Sequence, residues 1–383
     1  MSTTRHALDH LISDRARSMQ PSGIRRILES GMKLQNPINL SIGQPDFPVP
    51  EPMKQAAIDA IRNDRNGYSL TVGVPELLEA AWAHVGRDIG WHNDGSLGLF
   101  INSGTSGALL LAAMALLDPG DEFVMPDPFF LHYPQLCHMT NSVPVSCDTY
   151  PDFRMTADRI ERCITPRTKA VLICSPSNPC GTVLTEAELR DIVDLCRGRN
   201  LQLVSDEIYD EFVFGMPEAP SPARFSKDVL VIRGFGKTYG CTGWRLGYSA
   251  GPIHLIQQMT KLQQYTYVCA PTPLQVAAAH AYRCDLSGAL LAYERRRDMV
   301  LKAFEGVVDL PKPEGAFYAF VPVPERLGMT GTQFCEKALE RRVLVVPGGV
   351  FSARDTHFRI SYAVNDAQLA EGLAILRDLM LGA

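Results

Sequence analysis

Short runs of apolar and β-branched residues alternate with longer helical stretches through the middle of the chain. Segments with helical periodicity, such as Ser106–Leu117 and Glu186–Arg197, lie between the runs. Thr185, with Glu188 three positions later, predicts a capping box at the start of the second helix. The alternation is typical of an α/β domain built on a mostly parallel sheet. The runs that predict strands are Leu97–Ile101, Glu122–Met125, Ala170–Cys174, Leu201–Ser205 and Val229–Arg233.

The pattern changes from about Gln275 onward, where long helical stretches surround a few strands. We predict strands at Ala316–Val321 and Val343–Val346 and a closing helix at Asp366–Leu381. Prolines interrupt the beginning of the chain. These changes predict an arm with part of a small domain at residues 1–45, a large domain at 46–275 and a small C-terminal domain at 276–383.

Length and composition narrow the class of protein. The 383 residues suffice for two packed domains, and 46% hydrophobic with 21% charged residues is ordinary for a globular protein. The net charge of -5 argues against a nucleic-acid partner. The longest apolar stretch, Ala108–Leu117, is too short to span a membrane.

The ten cysteines and the N-terminal segment indicate a cellular compartment. No cysteine pair has metal-site spacing, so we expect no metal. Met1–Gln20 is polar and charged and lacks the apolar centre of a secretory signal. We therefore expect a cytoplasmic protein with reduced thiols.

Polar and glycine-rich segments follow the predicted strands, where an open parallel sheet binds ligands. Asn102–Gly107 precedes a helix and offers backbone N–H groups to a phosphate, although such turns are also common without one. Asn178 stands between two prolines, and Asp206 ends an apolar strand; a turn amide and a helix N-cap are the alternative interpretations. Lys237 lies among glycines, eight residues before Arg245.

These segments together resemble the class I/II aminotransferases, which are enzymes of pyridoxal-phosphate (PLP) fold type I. The order of the motifs agrees over nearly the whole chain, from Ile42 to Tyr362. The resemblance implies a large domain with a mostly parallel seven-stranded sheet flanked by helices, and a smaller α+β domain. The matching motifs are Ile42–Phe47, Ser177-Asn178-Pro179-x-Gly181, Asp206-Glu207-x-Tyr209, the segment from Lys237 to Tyr248, and Phe358–Tyr362.

The resemblance also implies how the cofactor is held. Lys237 would carry PLP as a Schiff base and shuttle the substrate proton, and Asp206 would keep the pyridine nitrogen protonated. Tyr209 and Asn178 would hydrogen-bond the ring oxygen O3′. The phosphate and the ring face would be held by the remaining cofactor-binding residues, which are Gly104, Thr105, Ser106, Arg245 and Phe130.

The reaction that the resemblance implies is ping-pong transamination between an L-amino acid and a 2-oxo acid. Arg359 would grip the substrate α-carboxylate, with Asn178 and the backbone of Gly43 beside it. A tyrosine at the position of Tyr68 reaches the phosphate of the neighbouring subunit in this family, which implies a homodimer.

Three departures from the family pattern affect specificity and affinity. Gly234 and Gly236 stand where many members have serines, and the first serine usually contacts the phosphate, so we expect weaker cofactor retention. Ser106 replaces the lysine that one aspartate-preferring branch uses for a distal carboxylate, so strict acidic specificity is not supported. The aromatic residues Tyr265, Tyr267 and Phe351 are candidates for the substrate pocket, or alternatively for the core or a dimer contact.

Other functions share parts of this pattern. C–S β-lyases, aminocyclopropane-carboxylate synthases and some decarboxylases use the same lysine and aspartate. PLP-binding transcription regulators add a DNA-binding domain, for which the chain leaves no room before Leu40. The nature of the amino donor and acceptor is left open.

Overall fold

The computed structural model describes residues 9–19, 21, 23, 24, 27, 31 and 34–382. Within that part of the chain, the strands form three sheets. The strands are β1 Ile38–Asn39, β2 Leu97–Asn102, β3 Glu122–Asp127, β4 Val143–Asp148, β5 Thr168–Cys174, β6 Gln202–Asp206, β7 Leu230–Gly234, β8 Gly247–Pro252, β9 Tyr318–Pro322, β10 Val343–Leu344, β11 Val346–Pro347 and β12 His357–Ser361. The helices are Asp14–Ser18, Glu51–Arg62, Pro75–Ile89, Gly104–Leu116, His132–Thr140, Ala157–Glu161, Glu186–Arg199, Phe235–Thr238, Ile253–Thr266, Thr272–Ala278, Ser287–Phe304, Gly331–Glu340 and Asp366–Leu381.

The largest sheet has seven strands in the order β2-β8-β7-β6-β5-β3-β4. All neighbours pair in parallel except β8, which runs antiparallel to both β2 and β7. Helices cover both faces, and two apolar clusters fill the space between helices and sheet. The predicted α/β class with a mostly parallel seven-stranded sheet is confirmed.

The predicted strands and helices agree with the structure to within about two residues at most ends. The capping box is present. The Thr185 side chain accepts a hydrogen bond from the backbone N–H of Glu188, and the Glu188 side chain accepts one from the backbone N–H of Thr185. The prediction of one strand at Val343–Val346 is wrong. Val345 is buried between β10 and β11, and these two strands pair with different sheets.

Two small sheets lie in the C-terminal part of the chain. β11, β12 and β9 form an antiparallel sheet, and β10 pairs in parallel with β1 from the N-terminal segment. The start of β9 is two residues later than predicted because Ala316 adopts a φ of 55°, which a strand does not accommodate. The domain boundaries stay predictions; residue 275 lies inside the helix Thr272–Ala278.

The strand directions decide where functional groups meet. β2, β3, β5, β6 and β7 all point the same way, so their carboxyl ends lie at one edge of the large sheet. β8 runs the other way, so the residues just before it reach the same edge. Among the described helices, none is long and apolar enough to cross a membrane.

Candidate active site

A cavity of about 260 Å³ lies at the carboxyl edge of the large sheet. Side chains from the small sheet close it from the other side. Apart from Tyr68, every residue predicted to bind the cofactor or the substrate carboxylate lines this cavity, whereas the aromatic pocket candidates Tyr265, Tyr267 and Phe351 do not. The lining residues are Ile24, Gly43, Gly104, Thr105, Ser106, Phe130, Tyr133, Cys174, Asn178, Asp206, Ile208, Tyr209, Gly236, Lys237, Thr242, Arg245, Leu246, Tyr318 and Arg359.

Lys237 projects into the cavity from the short helix that follows β7. Its Nζ donates to the backbone oxygen of Gly43. Burial lowers the pKa of Lys237 to about 8, and the nearby positive charges of Arg359 and Arg245 act in the same direction. The charge of Asp206 opposes this shift, and with a pKa of about 8 a substantial fraction of the amine is neutral near pH 8.

Asp206, the last residue of β6, lies on the floor of the cavity. Its Oδ2 accepts a hydrogen bond of 2.8 Å from the Tyr133 hydroxyl, and its Oδ1 lies 3.3 Å from the backbone nitrogen of Ile208. Burial raises the pKa of Asp206 to about 6, although both hydrogen bonds oppose that shift. A buried carboxyl in this state would be stabilised as an anion by a cationic group in the cavity.

The helix Gly104–Leu116 begins at the cavity and presents Thr105 and Ser106 in its first turn. Arg245 approaches the same helix end, and its Nη1 donates to the backbone oxygen of Thr242 at 2.9 Å. Gly104 has a φ of 69°. Backbone N–H groups, the positive helix end and a guanidinium together form a site suited to a phosphate.

Ile208 fills the space beside Gly234. A Cβ built on Gly234 would lie 2.5 Å from Cδ1 of Ile208 and 2.9 Å from Cγ2 of Thr105. The glycine at this position therefore fits the packing of this chain. A Cβ on Gly236 would lie 3.2 Å from the backbone Cα of Thr242, which is also close.

Arg359 on β12 is a buried cation without a carboxylate partner in the described part of the chain. Nη1 donates to Oδ1 of Asn178 at 2.9 Å, and Nη2 donates to the backbone oxygen of Ser41 at 2.8 Å. Its Nε has no hydrogen-bond partner. Burial lowers the pKa of Arg359, and a buried cation of this kind is stabilised by an anionic partner.

Two aromatic residues hold the guanidinium of Arg359 between them. Its Cζ lies 4.4 Å from the ring centroid of Tyr318 and 4.7 Å from that of Phe351. The hydroxyl of Tyr318 also lies 3.0 Å from that of Tyr209. The predicted substrate and cofactor residues are therefore in contact through Tyr318.

The three aromatic candidates for the substrate pocket lie in different surroundings. Phe351 packs behind Arg359, and Tyr265 is 84% exposed. The hydroxyl of Tyr267 lies 2.7 Å from where a Cβ on Gly107 would be. None of the three is among the residues that line the described cavity. Tyr68 is 87% exposed and does not reach the cavity of its own chain.

Sequence reasoning missed Tyr133 and Tyr318. Tyr133 reaches Asp206 from the helix His132–Thr140, and Tyr318 reaches Tyr209 from the small sheet. Neither follows a strand of the large sheet directly, so the search of strand ends did not find them. A tyrosine at the start of a strand otherwise made of apolar residues, as in Tyr318–Pro322, was the available signal.

Comparison with known proteins agrees with this geometry. Residues 35–376 match the family model of aminotransferase class I and II. The aromatic-amino-acid aminotransferase 2 of Thermococcus litoralis is 34% identical over 376 residues, covering 94% of this chain and 96% of the relative. The probable N-acetyl-LL-diaminopimelate aminotransferase of Bacillus subtilis is 35% identical over 381 residues, covering 98% of this chain and 97% of the relative.

A solved structure extends the likeness to three dimensions. The aspartate aminotransferase from Thermus thermophilus with maleate superposes with a TM-score of 0.90 at 31% identity, covering 96% of this chain and 99% of that one. The names of these three proteins point to different amino acids, so likeness does not decide the substrate. The chain belongs to the class I and II aminotransferases and is a PLP-dependent aminotransferase.

Proposed function

We propose that the cavity around Lys237 binds PLP and carries out the transfer of an amino group from an L-amino acid to a 2-oxo acid. The observation that carries this proposal is that the amine of Lys237 and the guanidinium of Arg359, both buried and with lowered pKa values, face one cavity. Buried charges of this kind require partners. A substrate carboxylate is a suitable partner for Arg359, and the neutral fraction of the Lys237 amine can react with a cofactor aldehyde.

The residues present fit PLP. Arg245, Thr105 and Ser106 would hold the phosphate at the helix end, and Asp206 would pair with the protonated pyridine nitrogen. Tyr209 and Asn178 would lie at the ring oxygen, and Phe130 would cover one face of the ring. When bound, PLP supplies the electron sink that stabilises negative charge on the substrate Cα.

Lys237 would act first as the nucleophile that holds the cofactor and then as the base at the substrate Cα. Its lowered pKa favours both roles, since only the neutral amine attacks a carbonyl or accepts a proton. The Gly43 backbone oxygen fixes the position of Nζ in the cavity. The amine that would accept the substrate Cα proton is therefore already held in place by the backbone of this chain.

Arg359 would bind the α-carboxylate of the substrate through a bidentate pair. Asn178 and the Ser41 backbone fix the orientation of its guanidinium, and Gly43 lies at the same end of the cavity. Ser106 offers a hydroxyl rather than a cation to the substrate side chain. We therefore propose that acidic substrates are not strictly preferred.

We propose that the enzyme is a homodimer in which Tyr68 reaches the cavity of the neighbouring subunit. Tyr68, Leu70 and Tyr265 expose large parts of their side chains, which supports a second copy as the cover for this surface. We also propose a cytoplasmic location. The ten cysteines are free thiols, as is usual in a reducing compartment.

A half-reaction tests the proposed function. The PLP-loaded enzyme is mixed with single amino acids in the absence of any 2-oxo acid, and products are quantified by mass spectrometry. We expect one equivalent of 2-oxo acid per active site and no ammonia. Continued release of pyruvate and ammonia would instead identify a β-lyase, and continued release of CO₂ a decarboxylase.

A further inference from the structure

Tyr318 lies between the two halves of the site, although no sequence motif singled it out. It is the first residue of β9, is buried and lines the cavity. Its hydroxyl is 3.0 Å from the hydroxyl of Tyr209, and its ring lies 4.4 Å from Cζ of Arg359. One side chain thus touches both the tyrosine that faces the cofactor and the arginine that faces the carboxylate.

The hydroxyl of Tyr318 lies within hydrogen-bond distance of the hydroxyl of Tyr209. In the described part of the chain, Tyr209 is its only hydrogen-bond partner. Burial raises the pKa of both phenols, so both keep their protons. If Tyr318 donates within the pair, the proton of Tyr209 is free to be donated to an acceptor in the cavity.

Gly43 leaves room for the Tyr318 hydroxyl. A Cβ built on Gly43 would lie 2.4 Å from Oη of Tyr318. The hydroxyl therefore lies next to both Gly43 and Tyr209. Any side chain at position 43 would displace it.

The ring of Tyr318 makes a second contact, with the guanidinium of Arg359. The guanidinium is sandwiched between the rings of Tyr318 and Phe351, while its Nη atoms are held by Asn178 and Ser41. The sandwich fixes the plane of the guanidinium and partly offsets the cost of its burial. A fixed plane is what bidentate binding of a carboxylate requires.

We propose that Tyr318 is a positioning residue with two separable contributions. Its hydroxyl donates to Tyr209 and so directs the Tyr209 proton toward the ring oxygen of the cofactor. Its ring, together with that of Phe351, orients Arg359 for the substrate carboxylate. The inference rests on the proposed function, since it assumes PLP at Lys237 and a carboxylate at Arg359.

Tyr318→Phe tests the hydroxyl because it keeps the ring over Arg359. A hydrogen bond to the ring oxygen stabilises the deprotonated chromophore, so weakening that bond raises the pH at which the visible band titrates. We expect the midpoint to rise by about half a pH unit or more in the PLP-loaded variant. Affinity for butyrate, a simple carboxylate probe measured by calorimetry, stays as in the wild type.

Phe351→Leu is the matched control, because Phe351 touches the other face of Arg359 and has no hydroxyl. We expect its spectral midpoint to stay at the wild-type value, while its dissociation constant for butyrate rises about fivefold. Tyr318→Leu loses both contributions and shows both effects. Gly43→Ala displaces the hydroxyl and shifts the midpoint as Tyr318→Phe does.

The outcomes separate this inference from the proposed function. A wild-type midpoint in both Tyr318→Phe and Gly43→Ala would overturn the role of the hydroxyl. Wild-type butyrate affinity in Phe351→Leu would overturn the role of the sandwich, even if Tyr318→Leu does not fold. If the wild-type enzyme shows no visible band that depends on Lys237, the proposed function itself fails.

Discussion

The guanidinium of Arg245 lies where a side chain at Gly104 would begin. A Cβ built on Gly104 falls 2.9 Å from Nη2 of Arg245, and the φ of Gly104 is 69°. The backbone conformation thus favours glycine here, and a side chain at this position would also displace the guanidinium of Arg245. Because Arg245 faces the helix end that would hold the phosphate, this contact connects one glycine to cofactor affinity.

Gly104→Ala is predicted to weaken cofactor retention. The added methyl group pushes Arg245 away from the helix end, so PLP should be lost faster during dialysis than from the wild type. Gly90→Ala is the matched control, since Gly90 has a φ of 75° with nothing within 4 Å of its built Cβ. Both variants carry backbone strain of about 1 kcal/mol. Equal retention of PLP in the two variants would contradict this account of Gly104.

Gly234→Ser is predicted to destabilise the protein because Ile208 occupies the space. Overpacking of this kind costs about 1–3 kcal/mol, measured as a fall in the melting temperature of the cofactor-free protein. Adding Ile208→Val removes Cδ1 and should restore at least half of the loss. The double variant should also retain PLP longer than the wild type on gel filtration, because it regains a hydroxyl at the phosphate. No recovery in the double variant would show that Ile208 is not the obstacle.

Arg359→Met is predicted to remove substrate binding with little loss of stability. We expect kcat/KM to fall about 100-fold or more, equivalent to roughly 3 kcal/mol. The free energy of unfolding should change by less than about 1 kcal/mol, since an unpaired buried charge is removed together with its hydrogen bonds.

Arg297→Met provides the control for Arg359→Met. Arg297 is also buried, but it pairs with Glu294 and Asp298 and lies outside the cavity lining. Its replacement should lower the free energy of unfolding by about 1–3 kcal/mol and leave kcat/KM unchanged. If Arg359→Met instead lowered the free energy of unfolding and left kcat/KM unchanged, Arg359 would be a structural arginine.

His357 is predicted to make the folded protein less stable in mild acid. Burial, and to a smaller extent the charge of Arg354, lowers the pKa of His357 to about 4, while in the unfolded chain it titrates near about 6.5. Between these values the unfolded chain binds a proton that the folded protein does not, so the free energy of unfolding falls as the pH falls. His357→Phe keeps the stacking on Phe320 and removes this proton.

Unfolding of wild type and His357→Phe by denaturant at pH 6.5 and pH 5 measures the effect. The stability of the wild type relative to the variant should fall by about 1.5 kcal/mol over this interval. Changes at other titrating groups cancel in the comparison. Parallel pH dependence of the two proteins would contradict the lowered pKa.

Much of the large sheet could be predicted because its central strands are continuous apolar runs, such as Ala170–Cys174. β8 was not recognised, although all six of its residues are buried, since Gly247, Ser249, Ala250 and Gly251 carry little or no apolar side chain. β4 was missed for a different reason. It is an edge strand with Pro144 and largely accessible side chains, so it lacks the apolar signal of a buried strand.

The site could be predicted as far as it depends on the ends of parallel strands. Lys237 and Asn178 follow such strands, Asp206 is the last residue of another, and the sheet brings all three to one edge. Tyr318 could not be placed in this way, because it belongs to another sheet and meets Tyr209 across 109 positions of sequence. Contacts between separate sheets are set by packing, which local patterns do not encode.

The most direct test of the account is to locate the lysine that binds PLP. The loaded enzyme is reduced with borohydride, digested and analysed by mass spectrometry, alongside Lys237→Ala and a surface control, Lys227→Ala. We expect the reduced cofactor on the peptide that contains Lys237 in the wild type and in Lys227→Ala, and on no peptide in Lys237→Ala. Cofactor trapped on another lysine, or trapped equally in Lys237→Ala, would contradict the central claim.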